Sequence, residues 1–298
     1  MAYVFIHSEC IPCMLTVRLR EMEMMGLSED VKLKVMREII RYLLENAVEG
    51  MDVTFIATNT FRIMKKITGD MDPYRSCKIK SNSIALSLLP HVKRYVDKSK
   101  NDVEAFRRAC IVSAIGNAID FGVAEYKFSL EEVEVANTAL SIDNVEDLLK
   151  LLKPGVSILY LLDNAGEVVF DTLLLEEIKR RNVKTIGVVK SGAFQNDVTI
   201  EDIKPLDLHS YFDEIVETGT DGSSIFLWEV SERLLRRLND ADLIISKGMA
   251  NYEYLSNEMK IRKPIFYLLK AKCSIVAEKL GIPHKSYVAK LDLRYLNY

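Results

Sequence analysis

Residues Ile158–Asp171 read ILYLLDNAGEVVFD. An unbroken apolar run ends on Asp163 and Asn164, a short turn follows, and apolar residues resume at helical spacing. The run has the length and composition of a buried strand, and the resumption has the periodicity of a helix. The tip between them is unusual in setting a carboxylate beside a carboxamide. Either these two residues only turn the chain, or they hold something through their oxygen atoms.

Outward from this unit the same alternation repeats. VSILYLL (156–162), KTIGVVK (184–190), EIVETG (214–219), DLIISKG (242–248) and PIFYLLK (264–270) predict five strands. Segments such as VVFDTLLLEEIKRR and SSIFLWEVSERLLRRL predict helices between them, the second carrying Trp228 as a packing residue. Strand, helix, strand with short connections implies right-handed crossovers, so this half is expected to be a doubly wound, mostly parallel, Rossmann-like α/β sheet. From about Leu15 to Leu152 the spacing is helical instead. EDVKLKVMREIIRYLLENAVE and NDVEAFRRACIVSAIGNAIDFG predict amphipathic helices, the latter opened by Asn101 or Asp102. SLEEVEVANTAL opens with a capping box of Ser129 and Glu132, and SIDNVEDLLKLLKPG stops at Pro154-Gly155. The expected organisation is an all-helical domain over 1–152 and the α/β domain over 153–298.

The chain has 298 residues, 49% of them hydrophobic and 28% charged, with a formal charge of -3. That balance suits a well-packed globular protein and gives no basic surface for nucleic acid. No apolar stretch approaches the roughly 18–20 residues needed to span a bilayer, and the N-terminus lacks a secretory pattern. Five cysteines do not make a disulfide framework. A cytoplasmic protein, with no nucleic-acid or membrane partner, is expected.

In open parallel sheets ligands bind beyond the carboxyl ends of the strands. Here those exits are Asp163-Asn164, Lys190-Ser191-Gly192, Thr218 to Asp221, Lys247-Gly248 and Lys270. Polar or cationic groups beside small residues have the composition of a phosphate or metal-phosphate cradle. The dinucleotide fingerprint, Walker A loop, H-E-x-x-H and G-x-S-x-G elbow are all missing. Asp163, Asn164 and Asp197 offer hard oxygen ligands suited to Mg²⁺ or Mn²⁺. The alternative is that Asp163 caps the helix near Glu167 and Asn196-Asp197 makes a turn. Lys247 could reach a phosphate, with Gly248 letting the backbone approach. Asn117 and Asp120 share a helix face and either pack together or face the cleft. Cys10 and Cys13, separated by two residues, read first as helix-start packing.

Taken together, ECIPC near the start, DPYRSCKIKSN (72–82), GNAIDFG (116–122), LLDNAGEVVFD (161–171), NDVT (196–199), ETGTDG (217–222) and SKGMANYE (246–253) carry a family likeness. The chain resembles the archaeal and bacterial branch of the metal-dependent damage-control phosphatases over nearly its whole length. The resemblance implies a helical portion packed on a Rossmann-like portion, with metal and phosphate between them. It implies metal ligands at Asp163, Asn164 and Asp197, and phosphate contact by Lys247. It places Asn117, Asp120, Glu167 and Asn251 in the same cleft. It also implies Mn²⁺, Co²⁺ or Ni²⁺, with Mg²⁺ possible, and small sugar phosphates or damaged phosphometabolites as substrates. Met249-Ala250 departs from the Gln-Gly common in relatives, which bears on loop shape and substrate fit. The expected activity is phosphomonoester hydrolysis, by a metal-activated water or through an aspartyl-phosphate at Asp163. Backbone N–H groups near Gly248 and Gly219 would hold the remaining phosphate oxygens. Two other readings stand beside it: a carboxyl methyltransferase using S-adenosylmethionine, and a non-catalytic metabolite-binding or redox-sensing protein using Cys10 and Cys13.

Overall fold

The computed structural model describes residues 4–116 and 140–293. Asn117, Asp120 and the Ser129/Glu132 capping box lie outside the described residues. The helical portion contains α1 (Cys10–Met24), α2 (Glu29–Asn46), α3 (Val53–Thr68), α4 (Arg75–Asp97) and α5 (Asp102–Gly116). Asn101 supplies the start signal of α5, its side-chain oxygen accepting from the Glu104 N–H at 2.9 Å. No helix among the described residues is long and apolar enough to cross a membrane.

All five expected strands form: β2 (Ser157–Leu161), β3 (Lys184–Val189), β4 (Glu214–Glu217), β5 (Leu243–Lys247) and β6 (Ile265–Lys270). Two more complete the sheet, β1 (Leu140–Asp143) and β7 (Tyr287–Asp292). β1 falls within a stretch read as helical, which narrows to α6 (Val145–Leu151). The strand order is β1-β7-β6-β5-β2-β3-β4, parallel throughout except for the antiparallel pair β6 and β7. The crossover helices include α7 (Glu167–Lys179), α8 (Ile200–Ile203), α9 (Glu232–Asp240) and α10 (Met249–Leu255), while α11 (Ser274–Leu280) joins the antiparallel pair β6 and β7.

The segment 223–238 differs from the expected single helix. Only α9 is helical, opened by Ser231, whose hydroxyl accepts from the Leu234 N–H at 3.2 Å. Trp228 precedes it in a non-helical turn, exposed, and stacks on Phe226 with centroids 5.3 Å apart. A serine cap in mid-segment outweighs the apolar run before it, because that run is used as an aromatic cluster with Phe55 and Tyr254.

Two apolar layers sandwich the sheet. One joins Tyr160, Leu162 and Phe266 to residues of α4, α5 and α7, and the other joins Leu159, Leu161 and Ile244 to α9, α10 and α11. Helices α1–α3 enclose a third cluster around Phe61 and Met64, into which Phe194 from the loop after β3 inserts. Phe194 thereby anchors the loop that carries Asp197.

The winding reverses at one place. From β2 the chain proceeds through β3 to β4 on one side, then crosses to β5 and β6 on the other. The crevice between the carboxyl ends of β2 and β5 is the topological switch point, where such folds bind ligands.

Candidate active site

Asp163 and Asn164 leave β2, and Asp197 leaves β3. The two tips are stitched together as a short antiparallel bridge between Asn164 and Asp197. Its backbone bonds run from the Val198 N–H to the Asp163 oxygen (2.8 Å) and from the Ala165 N–H to the Asn196 oxygen (2.9 Å). Local chain chemistry sets up both arms. Thr199 and Asp202 form a reciprocal capping box that starts α8 just after Asp197. The N-cap position of α7 is Gly166, three residues beyond Asp163.

Residues of α4 clamp the two arms. The Asn82 side-chain oxygen accepts from the Gly166 N–H at 2.7 Å, and its amide donates to the Asp202 carbonyl at 3.1 Å. Lys78, fully buried, donates to Asp202 at 2.8 Å and pairs with Asp72 at 3.0 Å. The segment 72–82 is therefore the brace behind the site.

The three oxygen-bearing side chains line a cleft of about 310 Å³. Burial, reinforced by the neighbouring Asp197, pushes the Asp163 carboxyl up to about 7. Burial likewise pushes Asp197 up to about 6 although Lys190 lies 3.4 Å away. At both carboxyls burial outweighs the attraction of the surrounding lysines, and a divalent ion at these oxygens would favour their charged forms further. Asn164 donates its amide to Asp163 (2.6 Å) and Glu167 (3.3 Å), which leaves its carbonyl oxygen for a cation. Among the described residues no three His, Cys, Asp or Glu side chains cluster as a metal site. This donor set is instead two carboxylates and an amide, all hard oxygens, and it fits an ion such as Mg²⁺ or Mn²⁺.

Lys247 ends β5 with its side chain directed into the protein. It is fully buried, and its ammonium contacts Glu167, Asp171 (2.6 Å) and the Ser113 carbonyl (3.2 Å). Three N–H groups meet three acceptors, so in this arrangement none points to a phosphate. Burial disfavours its charge, but the flanking Asp171 and Glu167 outweigh that and push its pKa up, while burial raises Glu167 to about 8 despite the lysine. Asp171, the last residue of the 161–171 motif, also accepts from the Ser113 hydroxyl at 2.5 Å, a role that the motif does not specify.

Gly248 has φ +80° and ψ 164°, a region essentially reserved for glycine. A Cβ there would lie 2.2 Å from the Asp163 carboxyl carbon. Its N–H is bonded to the Leu268 carbonyl at 3.2 Å, and that of Gly219 to the Ser191 hydroxyl at 2.5 Å. The expected backbone phosphate donors are thus already engaged, and the role of Gly248 is to let Asp163 sit against β5. We expect Gly248→Ala to lower stability by about 2 kcal/mol or more and to displace Asp163, readable by urea unfolding and by loss of divalent-ion binding.

Asn251 in α10 is buried, donating to the Lys247 carbonyl and accepting from Ser224, both at 2.9 Å. It supports the end of β5 and does not line the cleft. The cleft cations are Arg20 of α1 and Lys272 after β6. Glu21, also on α1, accepts from Arg18 (2.8 Å), Tyr74 (3.0 Å) and Gln195 (2.7 Å), tying the helical portion to the Asp197 loop. The bonds of Glu21 to Tyr74 and Gln195 leave no local sequence signal, since each joins residues far apart in the chain.

Residues 6–288 match the damage-control phosphatase ARMT1-like domain. The chain belongs to this family. The damage-control phosphatase of Archaeoglobus fulgidus is 36% identical over 287 residues, 95% of this chain and 97% of that protein. The damage-control phosphatase PH1575 of Pyrococcus horikoshii is 33% identical over 95% of this chain and 96% of that one. A crystal structure of this DUF89 family protein from Pyrococcus horikoshii superposes with a TM-score of 0.85 at 34% identity, covering 95% and 98% of the two chains. Family membership extends over both the helical portion and the sheet, so the site lies wholly within the shared fold.

Proposed function

We propose that the chain hydrolyses phosphomonoesters of small phosphorylated metabolites, sugar phosphates or damaged phosphometabolites, in the cleft beyond β2 and β5. The observation that carries the reading is the set Asp163, Asn164 and Asp197, three buried hard-oxygen side chains held by a backbone bridge at the switch point. The names of the relatives point the same way. A divalent metal at these three residues, Mn²⁺, Co²⁺, Ni²⁺ or Mg²⁺, would lower the pKa of an attacking water and offset charge on the phosphate.

The protein's own groups do the rest. Arg20 and Lys272 draw the anionic phosphate into the cleft and orient it. Lys247 acts from behind, holding Glu167 and Asp171 in place so that their charge does not repel the substrate. Glu167, paired with the Lys247 ammonium and accepting from the Asn164 amide, fixes the orientation of that amide. The modest cleft suits a small molecule. In the methyltransferase reading the first turn after β2 would need room for the donor, but a Cβ placed on Gly166 would already lie 3.2 Å from Ser81.

The deciding measurement is hydrolysis of an aryl phosphate after metal stripping and re-addition. Rates should vanish on stripping and return with a divalent ion, and metal-independent turnover would sink the reading. The same preparations carry a pH signature. Asp163 and Asp197 have folded pKa values above their usual 3.8, so the folded state binds more protons than the unfolded state in this window. Stability of the metal-free protein therefore falls as pH rises from about 4 to about 7. A saturating divalent ion should flatten that fall in thermal melts, because it replaces the protons.

A further inference from the structure

A second chamber, of about 550 Å³, adjoins the cleft and shares with it Phe194, Gln195, Met249, Ala250 and Lys272. Cys10, Cys13 and Cys273 all line it. The first two begin α1, and the third immediately precedes α11. The two segments touch where the Ser274 hydroxyl donates to the Glu9 carboxylate at 3.3 Å, one residue from Cys273 and one from Cys10. Cys13 is exposed, and Cys10 and Cys273 are partly so. The other two cysteines stand apart. Cys110 is fully buried in the core under the sheet, and Cys77 contacts the Met24 sulfur at 3.4 Å.

We propose that Cys10, Cys13 and Cys273 form a thiol–disulfide exchange site, with a low-molecular-weight disulfide of the glutathione type as its oxidant. Helix geometry places the Cα atoms of residues three apart at about 5 Å, inside the roughly 4.4–6.8 Å that a disulfide spans. Cys10 and Cys13 are therefore already at bonding separation without unwinding α1. The chamber is open to the exposed Cys13 and large enough to admit a small disulfide.

The exchange proceeds in two displacements. The Cys13 thiol gives its proton to water, and the thiolate attacks one sulfur of the small disulfide. A Cys13–sulfur bond forms while the small disulfide's own bond breaks, and the departing thiolate takes up a proton. Cys10, deprotonated in turn, attacks the Cys13 sulfur and releases the second small thiol. Two protein thiols are oxidised and one disulfide is reduced to two thiols. Cys273 is the reserve partner when either member of the pair is missing. Burial and the nearby Cys273 and Glu253 push the Cys10 and Cys13 thiols up, so the exchange is slow at neutral pH and favours alkaline conditions.

The test is incubation of the intact, folded protein with oxidised glutathione under alkaline conditions, followed by intact mass and peptide mapping. The wild type should lose two hydrogens and two titratable thiols, and map to a Cys10–Cys13 bond, with Cys77 and Cys110 unchanged. Cys10→Ser should instead give either a stable glutathione adduct on Cys13 or a Cys13–Cys273 bond. Adducts without an internal bond in the wild type, or reaction of all five thiols at equal rates, would overturn the proposal. So would protection of the three chamber thiols by added zinc with no disulfide formed, which identifies a cation site. The readout is mass, so it stands or fails independently of the phosphatase activity.

Discussion

Asp163→Ala is expected to abolish metal-dependent hydrolysis, with kcat/KM falling about a thousandfold or more while the fold is retained. The residue sits at the end of β2 and shares its carboxylate with Asn164, across from Asp197. Its removal takes away one of two charged donors and the partner that orients the amide donor. The loss in stability should be small or even reversed in metal-free protein, because an unfavourably desolvated carboxyl disappears. Calorimetric titration should show divalent-ion binding weakened in parallel with the rate. Retained turnover in Asp163→Ala would place the chemistry elsewhere.

Lys247→Met should produce the largest loss of stability, about 3–5 kcal/mol. The ammonium is the charge partner of Glu167 and Asp171, and all three side chains are fully buried. Without it the two carboxyls must take up protons or draw in water. The deficit should therefore shrink at acidic pH, where protonation neutralises both, and urea midpoints across pH will show this. The double variant Lys247→Met with Glu167→Gln should recover part of the loss, since only Asp171 then remains uncompensated. A lysine whose sole task was to meet phosphate would give a different result: activity lost with the urea midpoint unchanged.

The helical portion and five strands were legible because their signals are local. A run such as ILYLL must be buried wherever it is placed, and a three- to four-residue apolar repeat selects a helix before any partner is known. β1 and β7 were not legible. Leu140–Asp143 alternates partly buried with exposed positions, and it is defined by pairing with residues 287–289, far along the chain. Short sheet-edge strands of that kind owe their conformation to hydrogen bonds with a distant neighbour.

The candidate site divides along the same line. Asp163, Asn164 and Asp197 stood out as oxygen donors at strand exits, and in a parallel sheet strand exits converge on one edge. Lys247 stood out for the same reason, yet position alone does not give the direction of a side chain. Its neighbours Glu167 and Asp171 lie on the first crossover helix, and only helix-on-sheet packing brings them beneath β5. Glu21, Gln195, Asn82 and Lys78 likewise became meaningful only once α1 and α4 were seen against the two loops.

The sequence by itself determined the doubly wound sheet, the helical portion before it and the oxygen-rich tip of β2, because periodicity and strand-end composition are properties of contiguous residues. Tertiary structure alone decided the reversal of winding between β2 and β5, the glycine that lets Asp163 approach β5, and the turning of Lys247 inward. The physical reason is that a buried charge takes its partner from whatever surface is packed against it. That surface is chosen by the fold as a whole.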